Sequence, residues 1–205
     1  MKKKNLITGL LCLTISINSL IPTLASPYEN TNLSKNSQVT SKNYEVYSDD
    51  GSLEAVITFN DEYTYATIND IINNRVDILT KDNNGNVYIN GQQVATGQSN
   101  IAESPTPLAI DYTYSGTSEL NLNAEMSKAQ MLAAITSLIP YWPTSGASNA
   151  ARYCYEAAQK YGGTMTLYCQ LWVNYDYKKF KSHNWIYSDN LAMTIKTWDF
   201  NGSMR

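Results

Sequence analysis

The chain has 205 residues, with 15 basic and 18 acidic side chains and one histidine, for a formal net charge of −3. That balance excludes the basic footprint of a nucleic-acid binder. There is also no glycine-rich phosphate cradle and no GxSxG nucleophile elbow.

Residues 1–25 read as a secretory signal peptide. Lys2, Lys3 and Lys4 supply the positive start, "LITGLLCLTISI" is apolar but too short to span a bilayer, and "TLA" places Ala25 before a cut. Leu11 stands where a lipobox has a small residue, so Cys12 reads as apolar filler of the signal. The expected product is secreted, and no later stretch is apolar enough to cross a membrane as a helix. Without the three leader lysines, 12 basic residues face 18 acidic ones, a net charge of −6.

Residues 26–43 are polar and rich in Asn and Ser, and read as a disordered leader. Residues 44–97 then read as an acidic, β-rich module with the character of a propeptide. "SLEAVITFN" alternates Leu53, Ala55, Ile57 and Phe59 on one face, and "YTYATIN", "RVDILT", "NVYI" and "QQVA" follow as short strands. Asn90–Gly91 is the dipeptide of a tight hairpin. Residues 98–109, with Pro105 and Pro107, read as a linker. Charge shifts across it: Ser26 to Leu108 carries 4 basic and 11 acidic residues, Ala109 to Arg205 carries 8 and 7.

Residues 110–205 hold all four tryptophans. "TSELNLNAEM" alternates as a strand, and Ser127 with Gln130 fits a capping box. Met131, Leu132, Ile135, Leu138 and Ile139 then fall on one helical face, and Pro140 ends that helix. A second helix places Ala150, Tyr153, Cys154, Ala157, Ala158 and Tyr161 together and stops at Gly162–Gly163. Three strands complete the order. The expected fold class is α+β: a β-meander module followed by a separate domain of two helices on an antiparallel sheet.

The stretch "YGGTMTLYCQLWVNYDYKKFKSHNWIY" holds Cys169 and His183, which raises the question of a cysteine–histidine active site. No motif of a cysteine protease surrounds them, and a strand separates them. Cys154 and Cys169 both sit on apolar sides of their elements, and in an exported chain the expected outcome is a Cys154–Cys169 disulfide. With one histidine and paired cysteines, no metal centre and no cofactor is expected. "DNNGN" spaces Asp82, Asn84 and Asn86 like a calcium loop, but its Gly is misplaced and Gln93 stands where a bidentate Glu belongs, so it reads as a turn. Glu119, Glu125, Glu156 and Asp176 read as surface carboxylates rather than a glycosidase pair.

An aromatic surplus remains. Tyr168 and Trp172 lie on the strand face opposite Cys169, with Thr166, Gln170 and Asn174. Tyr175, Tyr177, Lys178, Lys179 and Lys181 follow in "YDYKKFK". These seven aromatic and lysine side chains are the candidate binding surface. It suits sugars through stacking, or an anionic envelope surface, membrane or wall polymer, through charge.

From Ala109 onward the chain resembles small secreted Gram-positive proteins of the geobacillin-like, bacteriocin-type group. The match rests on "YTYSG" (Tyr112 to Gly116), the helices "KAQMLAAITSLI" and "ASNAARYCYEAAQKYGG", and "IYSDN" (Ile186 to Asn190). The resemblance implies a secreted, non-catalytic effector of a Gram-positive-type bacterium, and the charge difference across the linker suggests an acidic first half that masks or assists the second. The alternative expectation is a secreted cell-wall or glycan-binding protein using the aromatic sheet face. A hydrolase comes third, because no motif identifies one.

Overall fold

The computed structural model describes residues 41–99 and 112–204. The signal peptide, nearly all of the expected leader and the proline-containing part of the linker lie outside the described residues. Ten strands run in sequence order through one antiparallel sheet: β1 (Lys42–Tyr47), β2 (Leu53–Phe59), β3 (Tyr65–Asp70), β4 (Arg75–Lys81), β5 (Val87–Ile89), β6 (Gln92–Ser99), β7 (Thr113–Leu122), β8 (Met165–Asn174), β9 (Lys179–Ser188) and β10 (Met193–Ser203). Among the described residues each strand pairs only with its chain neighbours, leaving β1 and β10 as the edges. Helices α1 (Lys128–Leu138) and α2 (Thr144–Tyr161) sit between β7 and β8 in sequence.

Turn chemistry enforces this meander. Asn90 and Gly91 take positive φ of 51° and 81°, the angles a two-residue hairpin needs. Between β2 and β3, Asn60 Oδ1 accepts from the Thr64 and Tyr65 amides while Tyr63 takes a φ of 57°. Alternation then puts Ala55, Ile57, Phe59, Ala66, Ile68, Leu79, Leu120, Leu167, Leu171, Phe180 and Ile186 into one core on one side of the sheet.

The separate-domain expectation is corrected by two findings. First, β6 pairs directly with β7, Ala95 opposite Leu120 and Thr96 opposite Glu119, so strands from both halves belong to one sheet. Second, α1 lies against β2, β3, β4, β5, β6 and β7 alike. A helix touching six strands is wrapped by the sheet, and every residue from Ala129 to Leu138 is buried. The one-faced helix expected from the sequence is buried on all sides. Its Ala, Met, Leu and Ile side chains tolerate this, and Ser137 Oγ donates to the Tyr63 carbonyl at 2.8 Å. Prolines and a charge shift report on surface composition, whereas the sheet is joined by backbone hydrogen bonds that carry no charge signature. The described residues therefore form a β-rich single-sheet fold with two helices, not an α+β pair of modules.

Both ends of α1 are tied into the sheet. At its start Ser127 Oγ accepts from the Gln130 amide (3.2 Å) and Gln130 Oε1 accepts from the Ser127 amide (2.9 Å), the reciprocal capping box. Gln130 Nε2 also donates to buried Asp77 at 2.9 Å. At the other end Lys81, on the inner side of β4, donates its ammonium to the Ser137 carbonyl at 2.8 Å, a cation where the helix dipole is negative. Helix α2 is amphipathic and packs toward β10, with Tyr153 edge-on to Trp198. Gly146 is required at its start: a Cβ there would lie 2.4 Å from the Phe200 ring.

Candidate functional site

The helices occupy the core side of the sheet, and no described element packs on the opposite side of β7–β10. Along these strands the side chains facing away from the core line up in rows across the sheet. One row joins Glu119, Tyr168, Trp185 and Thr197; the next joins Thr117, Gln170, His183 and Asp199; the third joins Tyr114, Trp172, Lys181 and Asn201. Tyr168 and Trp185 stack with ring centroids 5.1 Å apart and planes 14° apart. Tyr114 and Trp172 meet at 5.5 Å, tilted by 52°. The face thus carries two aromatic pairs with a polar row between them; Tyr168 and Trp185 are half-buried, whereas Trp172 is covered.

The polar row is held in place. His183 Nδ1 and Asp199 Oδ1 lie 2.6 Å apart, and the His183 ring rests against Trp185 at 5.6 Å. Thr117 Oγ1 and the Tyr114 hydroxyl share a 2.7 Å hydrogen bond. Burial, then the charges of Glu119 and Asp189, push the Tyr168 phenol above its usual range and keep it a neutral hydroxyl. Trp172 is only 3 % exposed, and its buried indole N–H has no partner among the described residues.

The structure divides the seven expected surface residues into two groups. Tyr168, Trp172 and Lys181 belong to the rows, with Lys181 Nζ over the Tyr112 ring at 4.3 Å. Tyr175, Tyr177 and Lys178 form the β8–β9 hairpin tip and Lys179 opens β9; the two tyrosines are 64 % and 69 % exposed, and Lys178 turns the chain with a φ of 49°. The ring partners Tyr114 and Trp185, and Asp199 beside His183, were not singled out from the sequence. Period-two alternation through "KFKSHNWIY" marks Lys181, His183, Trp185 and Tyr187 as one face, but only the β8–β9 register shows that this face continues the one carrying Tyr168.

Other constellations resolve as structure. Cys169 pairs with Asn184 on the core face while Gln170 pairs with His183 on the other, so Cys169 and His183 point to opposite sides of the sheet. Cys154 on α2 and Cys169 on β8 are both buried free thiols, and burial pushes both above the ordinary thiol range. In "DNNGN" the Asp82 carboxylate accepts from the Asn84 and Asn86 amides, the Asn86 side chain and the Tyr88 hydroxyl, which leaves it committed to its own turn. No group of three metal-binding side chains occurs among the described residues.

Asp70 and Asp77 are buried near the start of α1, and Arg75 Nε lies 3.7 Å and 3.2 Å from them. Burial acts to raise the Asp70 pKa, but hydrogen bonds from Asn73 and the Arg75 charge outweigh it and leave it lowered. Asp77 also accepts from Asn90 and Gln130. Asp77 thus joins the sheet to α1 through Gln130, while Asp70 is held at the β3–β4 turn by Asn73 and Arg75. In comparisons with family models, curated proteins and solved structures, the chain matches none.

Proposed function

We propose that the protein is an exported, non-catalytic binder of envelope polysaccharide, using the outer face of β7–β10. The observation that carries it is the Tyr168–Trp185 stack beside a row of hydrogen-bonding side chains, on a face free of both helices. Sugars present apolar C–H faces and hydroxyl rims together, and rigid aromatic rings flanked by Gln, Thr, His and Asp suit both. Hydrolysis by the two carboxylates in the rows, Glu119 and Asp199, is disfavoured because they stand three strands apart. At ~4.8 Å per strand that is about 14 Å, beyond the reach of an acid–base pair on one glycosidic bond.

The test is sedimentation with purified cell wall. Trp185→Ala and Tyr168→Ala are expected to weaken retention by about tenfold or more with little change in melting temperature. Tyr65→Ala, an exposed tyrosine in the first half of the sheet, is expected to behave as wild type. Equal retention of all three variants would sink the proposal.

A second reading rests on the tip formed by Tyr175, Tyr177, Lys178 and Lys179, which suits an anionic envelope surface. The bacteriocin-like effector has less support, since unmasking by cleavage would have to part strands β6 and β7 that are hydrogen-bonded together. Export also bears on the cysteines: we propose that Cys154 and Cys169, both facing the core, oxidise to a disulfide in the secreted form. Native protein is expected to resist alkylation at both sulfurs. Unfolding it without reductant should then release no thiol; two labelled cysteines per chain would show that they stay reduced.

A further inference from the structure

The polar row suggests how a glycan lies and which kind it is, an inference that rests on the polysaccharide-binding proposal. We infer that Thr117, Gln170, His183 and Asp199 form the floor of a channel running across strands β7–β10, which takes a neutral polyhydroxyl chain rather than an anionic one. Four residues separate Tyr168 from Trp172 along β8, so the two aromatic pairs stand about 13 Å apart at ~3.3 Å per residue. Across the strands the channel extends over three strand spacings, about 14 Å, enough for several linked sugars.

Unused hydrogen-bonding capacity lies where such a chain would pass. The half-buried Gln170 amide makes no hydrogen bond among the described residues and offers a donor and an acceptor at the middle of the floor. Asp199 is held by His183 through Oδ1, and its second carboxylate oxygen remains for hydroxyl donors.

Charge decides the class. The rows carry two carboxylates, Glu119 and Asp199, against Lys181, whose ammonium lies over Tyr112. A polyphosphate or polyuronate would meet Asp199 at one end of the floor and Glu119 in the row beside the other, whereas neutral hydroxyls and acetamido groups find acceptors there. The lysines of the hairpin tip, Lys178 and Lys179, are not part of these rows.

The experiment measures sedimentation of the full secreted chain with chitin and with peptidoglycan, either stripped of teichoic acid or intact. Wild type is expected to bind chitin and both peptidoglycans, with little loss from low to high salt. Gln170→Ala and Asp199→Ala are expected to weaken binding about tenfold each at unchanged melting temperature. Two outcomes overturn the channel yet leave the aromatic face standing. In one, Gln170→Ala and Asp199→Ala bind as wild type while Trp185→Ala does not; in the other, binding is lost on stripping teichoic acid or raising salt but still depends on Trp185. Wild type that binds none of the three probes removes the channel and the polysaccharide proposal together.

Discussion

Residues 109–205 expressed without the first half are expected not to fold. Helix α1 is buried from Ala129 to Leu138, and five of the six strands against it, β2 to β6, come from the first half. Removing them exposes Met131, Leu132 and Ile135, all nearly inaccessible in the intact chain, and leaves β7 with an unpaired edge. Lost with them are the Lys81 bond to the end of α1, the Asp77 bond to Gln130 and the Tyr63 bond to Ser137. Native stability is only about 5–15 kcal/mol, and losing the burial of so many side chains at ~1.5–3 kcal/mol each exceeds it several-fold. Circular dichroism of the purified fragment is expected to show no cooperative melt, and co-expressed halves are expected to associate. A fragment that melts cooperatively on its own would restore two independent modules.

The second large effect is expected at Trp142. This indole is fully buried between the two helices in sequence and packs edge-on to Phe200 at 5.4 Å, while Phe200 in turn packs on Phe180. The cluster anchors β10, an edge strand with no fully buried residue along its length. Trp142→Ala should cost about 3–5 kcal/mol by urea denaturation, through the lost contacts and the cavity left behind. Trp142→Phe should cost much less. The Trp142 indole N–H has no partner among the described residues, so deleting it removes an unsatisfied buried donor, which offsets part of the lost volume. Similar losses for both variants would mean that the N–H is satisfied in solution.

Local chemistry was legible where it is written in a few adjacent residues. The Ser127–Gln130 capping box, the Asn90–Gly91 turn, the stop at Gly162 and the alternation of β2 and β8 all reflect interactions within a handful of positions. The joining of the halves was not legible, because it depends on β6 finding β7 and on α1 being wrapped by strands far away in the chain. The candidate site shows the same division. Tyr168 and Trp172 could be placed on one face by period two, but Trp185, His183 and Asp199 enter it only through the registers of β8 with β9 and β9 with β10. The tip residues Tyr175 and Tyr177 are adjacent to Trp172 in sequence and belong to a different surface, since the strand ends at Asn174.

Hydroxyl-radical footprinting of the secreted protein, with and without purified cell wall, bears most directly on the outer face of β7–β10 as the binding surface. Protection is expected at Tyr168, His183 and Trp185, with Tyr65 and Tyr161, exposed elsewhere, labelled equally in both states. Protection confined to Tyr65 or Tyr161, with the Tyr168–Trp185 pair still fully labelled in the wall-bound protein, would contradict it.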